Sequence, residues 1–195
     1  MNRRKRSRFI DLRAMRKPAA LTTAIVGTFV ASGCSKQDAT WYKTADDCIR
    51  DTECTDFCRT AYQKALVESQ RSAPRYRSLS ACEYDFGDKE CYPRDNRYVP
   101  AIAGFMVPEG KDCDRRSSYP YYGRALYWPR SRYSDVNNQL VTGDGKKVGS
   151  PYSNNLSVSE SMFQKSPASY KTLSRGGFGR TVRAASYSSR SSWGG

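Results

Sequence analysis

Apolar residues recur at helical spacing in one long stretch of the chain. From Thr55 to about Ser72, Phe57, Ala61 and Ala65 fall on one stripe and Cys58, Tyr62 and Leu66 on the next, which predicts an amphipathic helix ended by Ala73-Pro74. Two shorter helices flank it. Thr44 followed by Asp46 and Asp47 reads as an N-cap with acids in the first turn. Ser80-Ala81-Cys82-Glu83 reads as a capping box for a helix that stops at Gly87.

Past Cys91 the helical period disappears. Tyr98 to Val107 is a sustained apolar run bounded by Pro108 and Gly110; it suits a strand, a membrane contact or a segment docked on the helices. Docking is the reading adopted, because three small helices lack enough apolar surface of their own. Gln139-Leu140-Val141-Thr142 and Lys146-Lys147-Val148 flank Gly143-Asp144-Gly145, a turn signal for a short candidate β-hairpin. From Ser150 to Gly195 the chain is rich in Ser and Gly with scattered Arg and Tyr, a composition that reads as disordered.

The N-terminal pattern is of another kind. A basic run, Arg3-Arg4-Lys5-Arg6, precedes an apolar segment from Ala19 to Val30 that is too short to span a bilayer. Val30-Ala31-Ser32-Gly33-Cys34 then reads as a lipoprotein processing site, with lipid attached to Cys34 and cleavage before it. Ser35 is not the Asp that favours inner-membrane retention, so the expected location is the cell envelope, lipid-anchored, on the periplasmic side of the outer membrane.

Charge follows this division. The formal net charge is +14, but residues 1–33 hold eight Lys or Arg against one acid, so cleavage would remove half of it. Residues 34–113 carry twelve basic and fourteen acidic side chains, whereas residues 114–195 carry thirteen basic and four acidic ones. A near-neutral head thus precedes a basic remainder. Tyr119 to Tyr133 interleaves Arg124, Arg130 and Arg132 with Tyr121, Tyr122, Tyr127 and Trp128.

Of seven cysteines, setting Cys34 aside for lipid leaves Cys48, Cys54, Cys58, Cys82, Cys91 and Cys113, an even set suited to three disulfides in an oxidising compartment. Tyr42-Lys43-Thr44 precedes Cys48 as Tyr76-Arg77-Ser78 precedes Cys82, and Cys58 and Cys91 follow. If this echo is a duplication, those four cysteines pair within the two units or across them, leaving Cys54 and Cys113 for each other. The expected organisation is a signal peptide at 1–33, a tether at 34–40, a cysteine-rich helical head at 41–113, an aromatic and basic segment at 114–149, and a disordered tail at 150–195. The expected fold class is mainly α, a small disulfide-stapled helical head with a short hairpin and a long basic tail.

Catalysis has little support in these residues. The chain contains no histidine, so neither a Ser-His nor a Cys-His pair can form, and no zinc knuckle pattern is present. Asp46, Asp47, Asp85 and Glu90 fit helix caps and solvated faces. No catalytic residue, metal ligand or cofactor is assigned. Arg175-Gly176-Gly177-Phe178-Gly179-Arg180, with Tyr187, Arg190 and Trp193, is the mixture that binds single strands of nucleic acid by charge and stacking. Outside the cytoplasm, no nucleic acid is expected, and an anionic envelope component or a protein partner is the expected ligand. A nucleic-acid-binding role is the alternative if the N-terminus is not processed.

Several stretches together resemble the YgiB-like family of uncharacterised bacterial lipoproteins. They are the processing site at Cys34, Ala45-Asp46-Asp47-Cys48, Cys58-Arg59-Thr60-Ala61-Tyr62, Ser72-Ala73-Pro74-Arg75-Tyr76, Cys82 to Cys91, and Arg175-Gly176-Gly177-Phe178-Gly179. The resemblance implies an envelope protein without an assigned activity. It also implies that Cys54 and Cys113, which lack counterparts in the family pattern, are an added pair.

Overall fold

The computed structural model describes residues 36–110, 112–114, 119, 122–169 and 171–188, with side chains to residue 185. Cys34, the expected lipidation site, and the signal segment before it lie outside the described residues, as do Arg190 and Trp193.

The strand content overturns the mainly α expectation. Among the described residues, four α-helices stand beside ten strands in three sheets, a mixed α/β fold. The residues expected to form a tether instead begin strand β1 (Lys36–Tyr42), an inner strand of the first sheet. It pairs antiparallel with β5 (Gly104–Pro108) on one side and β9 (Asn155–Ser159) on the other, with β6 (Arg124–Leu126) beyond β5.

This sheet is buried on both faces. Tyr42, Phe105, Val107 and Ala125 belong to one core with the long helix α2 (Thr55–Ser72), whose Phe57, Cys58, Ala61 and Ala65 are buried as the stripe predicts. Ala39, Trp41, Met106, Leu126, Leu156 and Val158 belong to a second core, closed by Met162 and Phe163 of a 3-10 turn and by Leu140 and Val148. Every residue of β5 is buried, which is why this strand reads as a continuous apolar run without alternation.

The expected hairpin forms as β7 (Leu140–Val141) and β8 (Lys147–Gly149). It gains support from the second core, because two paired strands alone are marginal in water. The other sheet runs in the order β10 (Thr172–Leu173), β2 (Arg75–Tyr76), β4 (Arg97–Pro100), β3 (Cys91–Arg94). Between β3 and β4, Asp95 and Asn96 both take positive φ, 47° and 56°, the requirement of a two-residue turn whose twist matches the strands. Pro93 sits on edge strand β3, where a missing N–H costs no ladder bond.

The tail expected to be disordered supplies β9, β10 and helix α4 (Gly177–Ser188). Its strands are short and lie in Ser-rich sequence, so composition hides them, but β9 places Leu156 and Val158 on one face by alternation, and there they meet the second core.

Candidate anion-binding site

The Tyr-to-Cys echo marks two local units with the same construction. In each, a strand ends in Tyr and a Thr or Ser caps a helix: Thr44 for α1 (Ala45–Thr52) and Ser78 for α3 (Leu79–Phe86). Thr44 and Asp47 form a full capping box, whereas α3 starts two residues earlier than Ser80 would place it. Cys48 and Cys82 then fall at the fourth helical position. Each unit closes its own disulfide, Cys48–Cys58 and Cys82–Cys91, and Cys54 joins Cys113. The sequence left pairing within or across units open, and the helix starts decide it by bringing each pair of Cα atoms to 5.7 Å and 6.2 Å.

Each unit also has a Tyr–Asp hydrogen bond nine residues apart. Tyr42 Oη donates to Asp51 at 2.5 Å and Tyr76 Oη donates to Asp85 at 2.7 Å. The second pair has a further role. Asp85, expected on a solvated helix face, is buried, and its carboxylate accepts the backbone N–H of Phe178 at 3.3 Å, at the start of α4. Gly176 has φ +71°, which turns the chain so that this N–H faces Asp85. A Cβ on Gly179 would come within 2.8 Å of Asp135 Cβ, so the last glycine of the signature allows α4 to approach. Phe178 is fully buried, 5.0 Å from the Phe86 ring, and Arg183 pairs with Asp135 at 3.0 Å.

Burial pushes the Asp85 carboxyl above its ordinary value of 3.8, against the hydrogen bonds from Tyr76, Phe178 and Gly176, which favour the ionised form. A raised folded pKa means that the folded state holds the proton more tightly than the unfolded chain. The stabilisation is complete below the ordinary value and is lost as pH rises through the folded one. Asp85→Asn, which keeps an acceptor for Phe178 N–H, is expected to flatten this decline as pH rises above the ordinary 3.8. Thermal melting of both proteins across that range checks it, and an unchanged slope would refute it.

By docking α4 beside β10, this anchor builds a cavity of about 580 Å³. Arg77, just past β2, Lys171 and Arg180 bring three cations to it; Thr172, Ser174 and Thr181 add hydroxyls. Among the described residues no carboxylate lines it, and none of the three cations has an ion-pair partner. Because the Phe178 N–H is taken by Asp85, the attraction for an anion comes from side chains. Arg180 stands out in the sequence as part of the tail signature, but Arg77 and Lys171 do not; only the parallel β2–β10 pairing brings them alongside.

A second cavity, of about 520 Å³, lies along α2 and includes Lys64, Arg71 and Lys165, but its charges are partly balanced. Arg124 there is buried; it contacts Asp144 at 3.1 Å and Glu68 at 3.8 Å, and donates to the carbonyls of Met162 and Gln164. Glu68 also accepts from Ala125 N–H at 2.8 Å and from the Ser166 hydroxyl. Burial pushes the Asp144 carboxyl up, but the Thr142 hydroxyl, Arg124 and Lys146 outweigh it and hold the group below its ordinary value. This cluster fastens the turn at residues 143–145 to α2 and β6.

These features define a small, disulfide-stapled α/β protein with an unbalanced basic cavity. Residues 36–190 match the family model described as "Protein of unknown function (DUF1190)", and the chain belongs to that family. It is 28% identical to a UPF0441 protein of Serratia proteamaculans over 96% of this chain and 95% of the relative. A UPF0441 protein of Pectobacterium atrosepticum is also 28% identical, over 96% and 94%, and one of Yersinia pestis 27%, over 96% and 93%. The resemblance drawn from the cysteine spacing and tail signature agrees with this family. No solved structure matches the chain.

Proposed function

We propose that this protein is a lipid-anchored component of the bacterial cell envelope that binds a phosphate-bearing envelope constituent, without catalysis, through the cavity at Arg77, Lys171 and Arg180. The observation that carries the reading is three cations gathered around one cavity with no carboxylate among its described lining residues. Such a site favours anions at short range and attracts them at longer range. The anchor is read from Val30 to Cys34, and three disulfides suit an oxidising compartment.

The fold of the tail also weakens the nucleic-acid alternative. Phe178 is buried against Phe86 and cannot stack on a base, and the start of the glycine segment is held by Asp85. In detergent-solubilised full-length protein, binding of purified lipopolysaccharide is expected to weaken on the order of tenfold in Arg180→Glu, and to weaken with added salt. Labelled palmitate is expected to enter the wild type and not Cys34→Ser. Unchanged lipopolysaccharide binding in Arg180→Glu would sink the cavity's role, and equal labelling of both proteins would sink the anchor.

A further inference from the structure

Arg175 follows Ser174 out of the basic cavity and opens a line of stacked side chains. Its guanidinium lies over the Tyr84 ring, 4.1 Å from the centroid. Tyr84 stacks on Tyr133 at 5.3 Å with 9° between the rings, and Arg132 lies over Tyr133 at 4.8 Å. Arg132, Tyr133 and Arg175 are exposed, and neither arginine has an ion-pair partner among the described residues. The two arginines come from segments far apart in the chain, brought together by α3 between them.

Stacking on an aromatic ring orders a guanidinium and leaves in-plane N–H groups to bind an oxyanion; Arg132 donates one of its Nη N–H groups to the Tyr133 hydroxyl at 2.6 Å and keeps the others. A lysine or an unstacked arginine would have to be ordered on binding, at a cost in side-chain entropy. This row therefore offers two preorganised cations next to a cavity that already holds three.

We infer that the Arg175–Tyr84–Tyr133–Arg132 row is a second anion subsite, continuous with the cavity, and that the ligand is a polyanion with repeating phosphate groups. The inference rests on the cavity reading proposed above and specifies its ligand. Two subsites that engage one chain act at high effective concentration, so a polymer gains affinity that a single phosphate does not. Asp135, a carboxylate on this side, is paired with Arg183 and leaves the row positive.

The test uses the detergent-solubilised full-length protein with polyphosphate and inorganic phosphate as probes. Wild-type protein is expected to bind polyphosphate at least about tenfold more tightly than inorganic phosphate. Arg175→Lys, which keeps the charge but loses the fork, is expected to weaken polyphosphate binding about fivefold and leave inorganic phosphate binding unchanged. Tyr84→Leu, which removes the platform, should do the same, with thermal melting confirming that both variants are folded. If both bind polyphosphate as the wild type does while Arg180→Glu loses it, the row is not a subsite and the cavity reading stands. If Arg180→Glu changes neither probe, the cavity reading fails and the inference fails with it.

Discussion

Arg124→Met is expected to lower the free energy of unfolding by roughly 3–5 kcal/mol, the usual consequence of removing one partner from a buried charge cluster. Methionine matches the length of the arginine stem but leaves Asp144 and Glu68 without their central cation. The carbonyls of Met162 and Gln164 lose their donor as well. The size of the loss depends on pH, with a definite sign. Asp144 has a folded pKa below its ordinary 3.8, so its contribution is complete above that value and is lost as pH falls through the folded one. Denaturant unfolding under non-reducing conditions should show the full deficit at about pH 7 and a narrowing gap below about pH 4. A deficit under about 1 kcal/mol, the range of exposed ion pairs, would show that the cluster is not buried as described.

Phe178→Ala is expected to cost a further independent 3–5 kcal/mol or so, roughly the range for truncating a buried aromatic ring. Phe178 has no exposed surface and packs with Phe86 in the larger core. Its loss should free the start of α4, take the Phe178 N–H away from Asp85, and open one wall of the basic cavity. Hydrogen exchange reads this locally. In the wild type, amides of residues 180–186 should be protected, and in the variant their protection should drop more than that of α2. If the segment were the disordered tail that its composition suggests, the substitution would cost almost nothing and those amides would exchange freely in both proteins.

The first three helices were legible because each has a local cause, whereas α4 was hidden by the Ser- and Gly-rich composition around it. The stripe at Phe57, Ala61 and Ala65, the Thr44 N-cap and the stop at Gly87 all lie within a few residues of what they control, and the structure places them as expected, whereas the capping box expected at Ser80 is replaced by a cap at Ser78. Apart from the β7–β8 hairpin, which its turn residues marked, the strands were not legible, since most are two to five residues long, too short for alternation to stand out. The β3–β4 turn hid for a related reason, because Asp95-Asn96 lacks the glycine that usually marks a two-residue hairpin. Only part of the cavity was legible. Arg180 sits in a recognisable motif, whereas Arg77 and Lys171 look like ordinary surface cations until β2 and β10, distant in the chain, pair in parallel.

Asp85 shows the same limit from the other side. By its sequence position it is one more acid on a short helix. Its burial, its raised pKa and its hold on Phe178 come from the packing of α4, which no neighbour in the chain announces.

By itself the sequence determined the helix stops, the first helix's cap, the turn at residues 143–145, the even set of six cysteines and the family. Each of these depends on residue type at short range or on a spacing that can be counted. Tertiary structure decided the rest: that β1 and β9 share a sheet, that each cysteine unit closes on itself, that the Arg-Gly-Gly-Phe-Gly segment is folded, and that three distant cations line one cavity. Those outcomes depend on which surfaces bury each other, and burial is a property of the folded chain as a whole.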